Sequence, residues 1–300
     1  MITCLSWRHG HIDMPPTTRK THHMTQALSP PSELTLDALL AGMTAAAERA
    51  GQQLLAHFSP DARPHDRNTL MAALAHNEAL VAKGLRDALS ALSPGANWLD
   101  GELEAMPLPD GEWWVVDAVE GNVNHFHGLG DWGVSITLVR DRQPVLAVFH
   151  HPLEGMMWTA VSGKGAHRNG QAVRVSAKTQ LADAIVSTGQ AEAGQTATYG
   201  PIGGSVTAML GHALLVRTSV PSTFPMLNVA NGQNDVLWQY ACMLPGVAAG
   251  VLFVQEAGGT VSRIDGSPWQ PGATDILMAA PALHAAAIAV LRSIPSQEAA

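Results

Sequence analysis

The chain has 300 residues, 46% of them hydrophobic and 14% charged, against a soluble norm of about 25% charged, which is a composition that folds around its own core without a disulfide or structural metal. Lys and Arg number 17 against 25 Asp and Glu, and the net charge of −8 excludes a general attraction to nucleic acid or to an anionic membrane. Cys4 and Cys242 form neither a disulfide framework nor a zinc site.

Residues 1–31 carry His9, His11, His22 and His23 among four prolines with no apolar period, and read as a disordered leader with Met14 or Met24 as an alternative start. The opening lacks the apolar stretch of a signal peptide, so the reading is a cytoplasmic protein. From Leu36 to Phe58 apolar residues recur on one helical face, with Thr35 or Ser32 as cap. A second helix is predicted over 78–92. The period then changes to strands at 113–116 running into Asp117, at 134–139, 144–149 and 156–160. Asn169-Gly170 supplies a tight hairpin turn. Beyond it follow a strand at 214–218, a helix at 226–230, a strand at 236–239, a helix at 245–257, a strand at 260–264 and a helix at 282–291. Pro245 suits the first turn of its helix and Gly258-Gly259 its exit. The apolar run 276–291 is broken by Pro281 and His284, too short a stretch to cross a membrane. The order predicts layered α and β in two halves, 32–178 and 179–300.

Chemistry concentrates in WLDGELE (98–104) and WWVVDAVEGNVNHFHG (113–128). Glu102, Asp117 and Glu120 lie beside strand-like segments, where carboxylates can converge on a hard cation. The residues alone leave a second reading open, in which Asp117 ends its strand by bonding nearby amides and the glutamates are solvated. His125, His127, His150 and His151 read as structural or surface histidines before acid/base or metal ligands. Lys164 reads as a solvated hairpin lysine before a phosphate ligand.

Asp117, Gly121 and Asn124, followed by His127-Gly128, resemble the DPxDGTxN signature of the inositol monophosphatase superfamily, which includes fructose bisphosphatases and bisphosphate nucleotidases. GVSITLV (133–139), GKGAHRNGQAVRVS (163–176), GVAAG (246–250) and EAGG (256–259) follow in that family's order. The resemblance spans residues 36–293. It implies a layered αβαβα sandwich, an α+β / α/β fold, and magnesium-dependent hydrolysis of a small phosphorylated polyol, sugar or nucleotide, with dimerisation. It also exposes departures: Glu120 stands for a family Asp, Asn122 for a Thr that helps activate water, Pro245-Gly246 for a Trp-Asp pair, Leu74 for an Asp and Gln239 for a substrate-contacting Glu.

These departures reduce the metal site to one expected Mg2+, held by Glu102, Asp117 and Glu120. Glu102 and Asn122 are the expected catalytic residues. Backbone amides at Gly121 and Asn122, with the helix starting at Pro245, are expected to hold phosphate, and Gln239 and Gly246 to line the substrate site. The alternative is a homologue without turnover that binds a small anionic or polyol ligand. A third reading is a different reaction on the same scaffold.

Overall fold

Thr35 accepts a hydrogen bond from the Ala38 N–H and starts helix α1 (Leu36–His57), and Asp66 does the same from the Thr69 N–H for α2 (Arg67–Leu92). The computed structural model describes residues 34–100, 107–190 and 194–294; the leader 1–31 and Cys4 lie outside them. The chain continues through β1 (Asn97–Trp98), β2 (Glu112–Glu120), the short α3 (Asn122–Phe126), β3 (Gly133–Arg140), β4 (Gln143–His151), β5 (Met156–Val161), β6 (Gly165–Arg168) and β7 (Gln171–Ala172). The second half comprises β8 (Ile185–Thr188), α4 (Tyr199–Leu210), β9 (Leu215–Thr218), α5 (Thr223–Ala230), β10 (Val236–Tyr240), α6 (Leu244–Glu256), β11 (Thr260–Ser262), β12 (Asp275–Ala279) and α7 (Pro281–Arg292).

Strands β1 to β7 form one sheet in sequence order, antiparallel apart from β1 on β2. The second sheet has the order β11-β12-β10-β8-β9, with β8 parallel to both β9 and β10. Alternation along each strand assigns the two faces of each sheet to different cores. Trp114, Val134, Ile136 and Leu138 pack on Met43, Leu54, Val81 and Leu85 of α1 and α2. On the other face, Val115, Phe149 and Trp158 meet Val251, Leu252 and Phe253 of α6, which also packs on Leu237 and Met278 of the second sheet. Trp238 and Leu277 point the opposite way, onto Met209, Leu283 and Ala287 of α4 and α7. Five layers result, helix, sheet, helix, sheet, helix, as the resemblance implies.

Most predicted elements match within a few residues, and Asn169 and Gly170 both take the positive φ of their turn. Helix α2 begins eleven residues before the predicted position 78, at Arg67. Its buried stripe runs Leu74, Asn77, Val81, Leu85, Leu89, and the polar Asn77 interrupts the apolar period. Strands β8 and β12 and helix α4 were not predicted. The α4 sequence YGPIGGSVTAML is rich in loop punctuators, and tertiary packing overrides that local preference.

Two buried histidines fasten α1. His150 Nδ1 lies 3.2 Å from the Ala47 carbonyl and His125 Nε2 lies 3.0 Å from that of Leu54. Burial pulls both rings below the ordinary value of 6.5. The unfolded chain therefore binds protons that the folded chain resists. Stability is full above about pH 6.5 and is lost as pH falls through that value toward the depressed folded-state values. Urea midpoints measured from pH 8 to pH 5 should fall on the acid side; a flat profile would contradict this assignment.

Candidate active site

Asp117 and Glu120 stand three residues apart on β2, a spacing that puts side chains on opposite faces of a regular strand. The β2–β3 register shifts between these two residues, and this irregularity brings both carboxylates to one cavity. That cavity, of about 200 Å³, is also lined by Gly189, Gln190, the segment 219–222, Gln239, Ala241, Met243, Pro245 and Gly246. Asp117 is half-buried and Glu120 is 3% exposed.

None of these lining residues is Lys, Arg or His, and among the described residues neither carboxylate has an ion-pair partner. Burial, then the charge of Asp117, pushes the Glu120 carboxyl well above the usual carboxylate range. Burial also raises Asp117. Thr223, at the start of α5, partly offsets the rise at Glu120, and its hydroxyl donates to the Gly246 carbonyl at 3.3 Å. Asp117 Oδ1 accepts the Val119 N–H at 3.1 Å, so this carboxylate both terminates the regular strand and faces the cavity.

The second half of the chain supplies most of the wall. Gly189 and Gln190 follow β8, Ser219 follows β9 and Ala241 follows β10. The crevice outside the carboxyl ends of parallel strands is where open α/β sheets bind ligands. Sequence reasoning found Gln239 and Gly246 but missed this rim, because β8 was not recognised. Gln239 is 8% exposed, and its Oε1 has no hydrogen-bond partner among the described residues. A Cβ added at Gly246 would meet nothing within 4 Å. Cys242 sits between two wall residues, but burial raises its thiol to about 12, leaving it inert as a nucleophile.

Other expected residues fall elsewhere. Glu102 lies outside the described residues. Asn122 is absent from the cavity lining: its Nδ2 donates to the Leu74 carbonyl at 3.1 Å and its Oδ1 accepts from Asn77 at 3.0 Å. Where the resemblance implied an Asp and a Thr, the structure has a tie between α3 and α2. Gly121 caps α3 with φ of 75°, and a Cβ there would lie 2.3 Å from the Asp131 carbonyl oxygen. Gly121→Ala should therefore destabilise the fold by about 1–3 kcal/mol, read as a lower urea midpoint; an unchanged midpoint would rule out the close approach. His127 bonds the Val123 carbonyl and His151 that of Gly130, both structural roles. Lys164 pairs with Asp37 at the surface. A larger groove of about 560 Å³ runs beside α1 and α2, lined by Ala45, Ala46, Ala50 and Gly84 among others, and contains none of the expected site residues.

A half-buried and a buried carboxylate without a counter-charge suit a small hard cation, and Mg2+ is usually held through one or two carboxylates with waters and substrate phosphate completing its shell. The donor set fits one such ion. Among the described residues no group of three or more His, Cys, Asp or Glu is placed to hold a metal ion. No described helix is long and apolar enough to cross a membrane.

Residues 35–296 match the model of the "Inositol monophosphatase family". An inositol-1-monophosphatase of Mesorhizobium japonicum is 30% identical over 237 residues, covering 76% of this chain and 86% of the relative. A Nus factor SuhB of Xylella fastidiosa is 32% identical over 154 residues, covering 51% and 56%. Among solved structures, an inositol monophosphatase from Anabaena superposes with a TM-score of 0.74 at 22% identity, covering 87% of this chain and 98% of the other.

Proposed function

The chain belongs to the inositol monophosphatase family, and we propose that it is a magnesium-dependent phosphomonoesterase working with one metal ion on a small phosphorylated polyol, sugar or nucleotide. The observation that carries this reading is the convergence of Asp117 and Glu120 on one cavity with no cationic side chain in its lining. A phosphate dianion brought beside two carboxylates is repelled unless a cation bridges them.

Asp117 and Glu120 would hold the ion, with Glu102 as the third ligand expected from the sequence. When bound, Mg2+ supplies polarisation of a phosphoryl oxygen. Thr223 lies beside the Glu120 carboxyl and favours its charged form. Gln239 presents an unpaired acceptor at the wall, suited to a hydroxyl of the substrate. At the start of α6, Pro245 has no N–H and the Gly246 N–H donates to the Met243 carbonyl, so phosphate binding at this helix start would fall to the Leu244 N–H that precedes them.

Phosphate release from a panel of sugar, inositol and nucleotide monophosphates across a magnesium titration tests this reading. Turnover that requires magnesium and stops on chelation is the expected result. Turnover indifferent to chelator would contradict it. A second reading, binding of a small anionic or polyol ligand without turnover, is favoured by one observation: the Asn122 amide is committed to Leu74 and Asn77 and so is not turned to a water in the cavity. Retained ligand binding with a flat activity panel would select it.

A further inference from the structure

The short helix α3 is tied to every element around it. His125, buried between Phe58, Phe126 and Trp132, reaches the Leu54 carbonyl of α1 with one ring nitrogen and Asn77 of α2 with the other, at 3.2 Å. Asn122 adds its two bonds to α2. The Leu54 carbonyl lies in the last turn of α1, where helix carbonyls lack intrahelical donors. These contacts make α3 a fixed base that starts two residues beyond Glu120.

From that base Asn124 extends the other way. Its Nδ2 donates to the Val220 carbonyl at 2.9 Å and to the Asp131 carbonyl at 3.0 Å. Val220 belongs to the segment 219–222 that forms one wall of the cavity, and Gly121 packs on the same segment, its would-be Cβ 3.0 Å from Pro221. Between the end of β9 and the start of α5, this wall is secured at Ser219, whose N–H donates to the Thr188 carbonyl, and at Thr223, whose hydroxyl donates to the Gly246 carbonyl. Asn124 pins its middle.

We propose that Asn124 is a positioning residue, whose carboxamide holds the wall 219–222 across the Asp117–Glu120 pair and so keeps the cavity formed before ligand arrives. Two donor hydrogens meeting two carbonyl oxygens is a role that only an amide fills at this size: an aspartate would present acceptors to acceptors. The inference rests on the carboxylate pair being the reactive centre.

Amide hydrogen exchange on the full chain tests it, comparing wild type with Asn124→Ala and the isosteric Asn124→Asp. Exchange at Val220, Ser222 and Thr223 should quicken roughly five- to tenfold in both variants, the scale of one lost hydrogen bond, while amides of α7 keep the wild-type rate. Calorimetric titration with Mg2+ alone should show about tenfold weaker affinity in both, as loss of an outer support for a metal ligand gives. Unchanged exchange at 220–223 would overturn the proposal, as would faster exchange spread evenly over the whole chain. If the wild-type chain binds no Mg2+, the one-metal reading fails, and the exchange comparison still decides the role of Asn124.

Discussion

Asp117→Asn should lower magnesium-dependent phosphate release by at least about 100-fold, beyond the upper end of what loss of an outer-shell partner costs, and Glu120→Gln should do the same. Each removes one of the two described carboxylates at the cavity, so little remains to offset the desolvation of a divalent ion. The same substitutions should raise, or at least not lower, the thermal midpoint of the metal-free chain. Burial and mutual repulsion, which push the Glu120 carboxyl upward, are relieved when one partner is made neutral. Lost activity in a chain that melts no earlier is the signature of a metal ligand; lost activity with a collapsed midpoint would make the residue a structural one. Initial rates across a magnesium titration, paired with thermal melts in chelator, give both readings.

Gly246→Asp should move in the opposite direction. The position lines the cavity with both carboxylates, and a Cβ there meets nothing within 4 Å, so a side chain can start from it without a clash at its first atom. A third carboxylate raises the charge of the donor set, which tunes divalent-ion affinity over orders of magnitude, and Mg2+ affinity should tighten on the order of tenfold or more. Without metal, a third acid should destabilise the fold by adding repulsion to a pair that is already strained electrostatically. Affinity unchanged or weakened would mean that position 246 does not face the ion. The contrast with Asp117→Asn matters because the two substitutions change charge in opposite senses at one cavity.

The layered fold was legible because it is written in periodicity: the apolar face of α1, the alternation in β3 and the Asn169-Gly170 turn each satisfy a local rule that the tertiary structure also satisfies. Helix α4 and strand β8 were not, since the Gly and Pro content of one and the four-residue length of the other leave burial in the second sheet to decide. At the site, the family resemblance singled out Asp117, Glu120, Gln239 and Gly246, and the structure places all four on one cavity. The register shift that turns Asp117 and Glu120 to the same side has no sequence signal of its own. Nor did spacing reveal the fate of Asn122, whose side chain is drawn to the Leu74 carbonyl and to an Asn77 that is fully buried. The wall segment 219–222 escaped notice because it is brought to the carboxylates by the chain ends of parallel strands, a contact roughly a hundred residues distant in sequence, visible in the Asn124 bond to Val220.

If Asp117 and Glu120 together hold a single ion, titration calorimetry of Mg2+ into the full chain, repeated with Asp117→Asn, measures that most directly. The predicted result is one site per chain in the wild type and none in the variant. A wild-type chain with no detectable site, or a site that survives Asp117→Asn at undiminished affinity, would contradict it.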